Sequence, residues 1–193
     1  MLVLKLSRRL FRYVECLADI IIRFFLKVKI GSNCIVRGIV RYEGTCSIEL
    51  GDNVHINSGK QYNVIGGDCR TVLRTVHDGR IIIGEGSGIS NSTIVSANQV
   101  KIGKNVLVGG NCKFYDTDFH PINMEDRLND NIEKIKTAPI EIEDNVFIGA
   151  HCIILKGVTI GQGSVVGAGS VVTKSIPERE LWAGNPAHFI RKL

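Results

Sequence analysis

"IEDNVFIGAHCIILKGVTIGQGSVVGAGSVVTKSIP", residues 142–177, divides into six hexads, each opened by an aliphatic residue: Ile142, Ile148, Ile154, Ile160, Val166 and Val172. The second place is usually Gly. The fifth place holds Val146, Cys152, Val158, Ser164, Ser170 and Ile176, mostly small or β-branched. A period of six does not fit an amphipathic helix, whose apolar residues recur every ~3.6 positions. It fits short strands joined by tight turns, one hexad per flat side of a coil. The opening aliphatic then points inward and stacks on its copies in neighbouring coils. Gly serves where the chain turns with positive φ or approaches a neighbour closely.

The same frame recurs upstream at Ile102 (IGKNVL) and Val108 (VGGNCK), and at Ile83 (IGEGSG) and Ile89 (ISNSTI). Worn copies begin at Leu50 (LGDNVH) and Ile30 (IGSNCI). Between about residues 57 and 82 the rhythm is poor. There TVLRTVHDGRIII (71–83) reads as β structure around a His-Asp-Gly turn. The frames at Ile102 and Ile142 are out of step with each other, so the chain between them is not regular coil. A long loop inside a repeat is usually functional or disordered. This one begins YDTDFHP (115–121). His120 precedes a proline, which holds it in extended geometry, and Asp116 and Asp118 stand close enough to orient its ring or shape the loop.

Composition bounds the rest. At 193 residues the chain is one domain, and aromatics at 6% with 21 Gly suit small, regular packing layers. The net charge of +5 sits in residues 1–29, which carry seven bases and two acids; the remainder has 17 of each. A neutral body gives no warrant for nucleic-acid binding. Residues Leu6, Leu10, Val14, Leu17, Ile21 and Phe24 lie near helical spacing among those bases. They predict an N-terminal helix that packs on an open coil end or a neighbouring subunit, with peripheral membrane contact as the second reading. No secretory signal and no transmembrane span is expected, since "IIIRFFL" is cut by Arg23. Six Cys (16, 34, 46, 69, 112 and 152) show no C-x-x-C spacing. This points to reduced thiols in the cytoplasm rather than a zinc site or disulfide framework. Cys34, Cys112 and Cys152 fall at fifth places and read as small buried residues.

The hexads, with "YDTDFHPI", "VVTKSIP" and "WAGNPAHFIRKL", resemble the left-handed parallel β-helix acyltransferases of the hexapeptide-repeat family. The likeness runs from about residue 30 to the end. It is closest to the capsule and O-antigen sugar O-acetyltransferases, with galactoside and maltose acetyltransferases as relatives. The implied fold is all-β: a helix at 1–29, a β-helix over 30–176 with a protruding loop at about 114–139, and a cofactor-binding tail at 177–193. The implied activity is acetyl-CoA-dependent transfer to a saccharide hydroxyl without a metal, in a cytoplasmic homotrimer. The resemblance gives His120 as general base, with Asp118 as its partner, and the Ala150 N–H as donor to the developing oxyanion. It places Ala168, Thr173, Lys174 and Arg191 along the acyl-CoA donor, and Ser90, Asn91 and Ser92 at the acceptor. Where some members carry Arg this chain has His188. Another small acceptor (serine, an antibiotic or an amino sugar) and a non-catalytic binding module are the alternatives. A γ-type carbonic anhydrase needs three His around zinc, and the wide sequence separation of His120 and His151 does not supply them.

Overall fold

The computed structural model describes Leu17 and residues 28–44, 47–67 and 69–193. The helix expected over 1–29 lies outside the described residues except at Leu17 and at its end, where Lys29 already belongs to a strand.

The chain winds through three parallel sheets, one strand per sheet per coil. The first sheet contains β1 (Lys29–Ile30), β4 (Ile48–Leu50), β7 (Arg80–Ile83), β10 (Gln99–Ile102), β13 (Ile140–Ile142) and β16 (Thr159–Ile160). The second contains β2 (Ile35–Arg37), β5 (His55–Asn57), β8 (Gly88–Ser90), β11 (Leu107–Val108), β14 (Phe147–Ile148) and β17 (Val165–Val166). It is extended by β19 (Glu180–Gly184) and β20 (Ala187–Lys192). The third contains β3 (Arg41–Glu43), β6 (Val72–Thr75), β9 (Thr93–Ser96), β12 (Lys113–Tyr115), β15 (Ile153–Leu155) and β18 (Val171–Val172). This is the parallel β-helix that the hexads predict, of the left-handed kind that the family resemblance implies.

The first-place residues are the core. Ile30, Leu50, Ile83, Ile102, Ile142 and Ile160 stack in register in the first sheet. Ile56, Ile89, Val108, Ile148 and Val166 do so in the second, and Phe114, Ile154 and Val172 in the third, where Leu73 and Ile94 take the same inward position outside the hexad frame. Nearly all are fully buried. Each such side chain taken from water contributes roughly 1.5–3 kcal/mol.

Two kinds of corner residue separate here. Second-place glycines are needed for close approach: a Cβ on Gly84 would lie 2.5 Å from the carbonyl oxygen of Gly103 in the next coil. The fourth place carries the positive φ, and it is Asn as often as Gly. Asn33, Asn53, Asn105 and Asn145 sit at φ 57, 57, 53 and 61°, continued by Gly86 and Gly163. Asn tolerates this left-handed conformation better than most residues with a side chain.

The fifth-place residues are donors as well as fillers. Cys34, Cys112 and Cys152 point their thiols at the carbonyls of Gly51, Gly149 and Gly167 in the following coil, at 3.0, 3.1 and 3.2 Å. The Ser87 hydroxyl does the same to Gly103 at 2.7 Å. Contact with Cys152 and burial push the Cys112 thiol above its ordinary range.

Ile142 pairs with Ile160, the register that three whole hexads require. Earlier coils, from Ile30 to Leu50 and from Ile83 to Ile102, are slightly longer than three hexads, which is why the frame is worn there. Two coils are much longer. Ile102 pairs with Ile142 because a loop leaves after β12. Ile56 pairs with Ile89 because a second loop, residues 58–71, leaves after β5. At the far end, β19 adds to β17 in parallel and β20 folds back on it antiparallel, covering the last coil of the second sheet.

Candidate active site

The third sheet has two edges, and the expected site residues divide between them. Its strands start at the corner shared with the second sheet and end at the corner shared with the first.

His120 belongs to the outgoing edge. Residues 116–118 and 136–138 form the neck of the first loop, through Asp118 N–H to Lys136 O (3.1 Å), Ala138 N–H to Asp116 O (3.0 Å) and an antiparallel bridge between Thr117 and Thr137. Beyond the neck lie a short helix, α1 (Met124–Leu128), capped by the Asn123 side chain, and a 3-10 turn. No residue of either helical segment is buried. The His120 N–H donates to the Asp118 carbonyl at 2.7 Å, across Phe119 at φ 62°. This three-residue turn with positive φ is rare and strained, and a left-handed residue other than Gly costs about 1–3 kcal/mol. The Phe119 ring meets Tyr115 edge-on at 5.2 Å, which helps hold the turn. The His120 side chain is exposed.

The two acids of the motif differ. Asp116 is fully buried and accepts from Ser96 Oγ (2.8 Å), Ala97 N–H (2.7 Å) and Asn98 N–H (2.9 Å). It caps the corner of the coil below. Asp118 Oδ1 accepts from Lys156 Nζ at 2.6 Å, while Oδ2 is buried and has no partner. Neither oxygen is bonded to the His120 ring, so within one chain Asp118 ties the loop to the next coil through Lys156. Sequence reasoning does not single out Lys156, although a signal is present: Lys156 and Lys174 occupy the third place of hexads one coil apart at this edge. Thr173 and Lys174 follow β18 here and are exposed.

Ala150 and Ala168 belong to the incoming edge, and are also third-place residues one coil apart. The Gly169 N–H donates to Ala150 O at 2.8 Å, which stacks the two turns. Among the described residues, neither the Ala150 nor the Ala168 N–H has a protein acceptor. Gly110 completes this column below Ala150, with His151 N–H bonded to Gly110 O at 2.8 Å. At the corner between the first and second sheets the third places are Ser32, Asp52, Glu85, Lys104, Asp144 and Gln162. The contrast leaves a bare strip along one corner. Beside it His151, at φ 62°, meets the Asn111 side chain through Nδ1 at 3.2 Å.

The structure gives Asn91 and Ser92 a task other than the expected acceptor contact. Both are fully buried. Asn91 accepts from Gly59 N–H (2.8 Å) and donates to Asn63 O (2.8 Å) and Ile65 O (3.3 Å), pinning the loop 58–71. Ser92 Oγ bonds Ser90 O, Gly109 O and Cys112 N–H. Their polar atoms are occupied within the scaffold. Ser90 is 8% exposed and accepts from Asn57 Nδ2. Arg191 lies exposed on β20.

The expected site residues therefore fall into two groups on one chain. His120, Lys156, Thr173 and Lys174 lie where the third-sheet strands end, and Gly110, Ala150 and Ala168 where they begin. Short strands, about 10 Å long, lie between them. Among the described residues no three His, Cys, Asp or Glu side chains gather as metal ligands.

Residues 99–113 and 139–174 match the hexapeptide repeat of succinyl-transferase. Those two stretches carry the hexapeptide repeat. A hexapeptide-repeat acetyltransferase from Vibrio cholerae O1 biovar eltor, solved with acetyl coenzyme A, is similar at a TM-score of 0.56 and 27% identity, over 89% of this chain and 73% of that one. A galactoside acetyltransferase solved with coenzyme A is similar at 0.57 and 33% identity, over 85% and 64%. The galactoside O-acetyltransferase of Escherichia coli strain K12 is 46% identical over 53% of this chain and 49% of its own length. The chain spans about half the length of the curated relatives it matches.

Proposed function

We propose that this hexapeptide-repeat protein transfers an acetyl group from acetyl-CoA to a hydroxyl of a saccharide, a surface polysaccharide or its precursor. A sugar hydroxyl is a weak nucleophile until its proton is removed as it attacks. His120 takes that proton as general base. The hydroxyl oxygen bonds to the thioester carbon, and the carbonyl oxygen becomes negative. The free Ala150 N–H donates to it. Collapse breaks the C–S bond, and His120 returns the proton to the departing CoA thiolate. The products are the O-acetyl ester and CoA, and no covalent enzyme intermediate is needed. The buried, donor-free Oδ2 of Asp118 is the acceptor at hand to hold the imidazole in its productive tautomer.

The donor lies along the bare corner strip, with Ala168 beside its pantetheine arm. Thr173, Lys174 and Arg191 meet its polar and phosphate groups. Because His120 and Ala150 sit at opposite edges of the third sheet, a working site takes one from each of two chains; the family resemblance makes that assembly a homotrimer. The outward face of the second sheet supports association: Ile35, Leu107 and Phe147 are 40, 56 and 47% exposed. The equivalent face of the first sheet instead carries the ion pairs Lys29–Glu49 and Lys101–Glu141. Phe147 precedes Ala150 by half a hexad, so a neighbour seated on this face lies beside the strip. Among the described residues no helix is long and apolar enough to cross a membrane, and the site of action proposed is the cytoplasm.

The observation that carries this reading is His120 itself: an exposed imidazole, held by a strained turn at the head of a loop inserted into an otherwise regular coil. The test is incubation with acetyl-CoA and a panel of free sugars, nucleotide sugars and glycan fragments. Release of free thiol together with an acetylated saccharide by mass spectrometry is expected. No thiol release with any member, alongside serine or amine acceptors that do react, overturns the saccharide assignment.

A further inference from the structure

The corner strip has a lower end. Ala168 is exposed and Ala150 half-buried, but Gly110, one coil below, is buried although it has no side chain. The cause is the second loop. A Cβ placed on Gly110 would collide with Ile65 O and lie 3.1 Å from Ile65 Cγ2. Ile65 therefore sits on the strip one coil under the proposed oxyanion donor. The loop is fixed there: Asn91 binds the carbonyls of Asn63 and Ile65, the Asn63 side chain accepts from Ile65 N–H at 2.9 Å, and a Cβ on Gly66 would touch Asn111. Yet Ile65 and its neighbour Val64 remain 52 and 84% exposed, so the apolar atoms of Ile65 beside Gly110 are open to solvent rather than buried in the core.

We infer that Ile65 is the wall that limits the length of the acyl group this protein accepts. The inference rests on the acyl-CoA reading above. With the thioester carbonyl at Ala150 and the pantetheine running toward Ala168, the acyl carbons extend the other way along the corner, toward Gly110. A methyl group has room before the Ile65 side chain. A longer chain meets it. The wall is apolar, as a surface facing acyl carbons should be and one facing a hydroxylated acceptor need not be. It is also a loop residue outside the hexad frame, so its size can change without disturbing a coil.

The test is calorimetric titration of the full chain with acetyl-CoA, butyryl-CoA and free CoA, which requires no acceptor. One methylene at such a wall discriminates by about tenfold or more. The wild type is expected to bind acetyl-CoA at least about tenfold more tightly than butyryl-CoA, and Ile65→Ala to bring the two within about twofold. Ile65→Trp, which shortens the same space, is expected to weaken acetyl-CoA about tenfold while leaving free CoA unchanged. An unchanged butyryl-to-acetyl ratio in folded Ile65→Ala, or no preference in the wild type, overturns the wall and leaves the transferase reading standing. Absence of binding by any of the three ligands overturns both.

Discussion

Asp116 and His120 share one short motif and meet opposite surroundings. The Asp116 carboxylate is buried and satisfies one hydroxyl and two backbone N–H groups of the preceding coil. Removing it strands those donors, and each buried group left unpaired costs about 1–3 kcal/mol. Asp116→Ala is therefore expected to lower unfolding free energy by about 3 kcal/mol in denaturant titration. His120 bears no such burden. His120→Ala is expected to change stability by less than about 0.5 kcal/mol and to lower kcat by ~10²–10⁴ while acetyl-CoA still binds. A His120→Ala enzyme with wild-type kcat would remove this residue from the chemistry. Equal stability of Asp116→Ala and wild type would remove the capping role. The sequence alone does not separate the two acids of DTDFHP. Their partners, Ser96 to Asn98 for Asp116 and Lys156 for Asp118, lie one coil away, and only the coil register brings them near.

At the scale of the element, what is legible in the sequence follows the period. First-place aliphatics are visible because every coil repeats them, and the strands fall where the hexads predict. The break between Ile102 and Ile142 is visible because it spoils the count. The loop at 58–71 reads as weak rhythm rather than an excursion, since the worn coils around it already depart from whole hexads. Asn91 and Ser92 escape for a related reason: the groups that occupy them come from that loop and from neighbouring coils. The fifth place reads as filling, whereas its thiols and hydroxyls also satisfy carbonyls of the following coil. That geometry has a chemical consequence. Cys112 is buried, donates to Gly149 O, and has its thiol pushed up by Cys152 and by burial. The thiolate is the reactive form, and a raised pKa keeps it scarce until well above neutrality. Native protein at about pH 7–9 is expected to leave Cys112 unmodified by a thiol reagent, while the exposed Cys69 reacts at once. Mass mapping of modified peptides, with and without denaturant, reads this directly. Prompt native modification of Cys112 would contradict the donor ladder.

At the scale of the molecule, the coils of the described residues form a prism whose three faces are unequal. One carries the ion pairs Lys29–Glu49 and Lys101–Glu141, one exposed Ile, Leu and Phe, and the third has His120 and Ala150 at its opposite edges. An apolar face beside a bare corner is what a neighbouring copy would cover, and closed rotational symmetry lets one kind of contact serve every chain. The loop around His120 adds exposed Ile122, Met124, Leu128 and Ile132 to the surface available for such contact. A monomeric mass by light scattering would defeat this arrangement outright. The most direct measurement of the central claim mixes two inactive variants: His120→Ala, and Ala150→Trp, which fills the strip at the oxyanion donor. Each variant alone is expected to be inactive. Co-refolded at random in equal amounts, about one quarter of all clefts pair an intact His120 with an intact Ala150 from the next chain. Recovery of about a quarter of wild-type acetyl transfer is the expected result. Verified mixed trimers that recover no activity would contradict a site shared between chains.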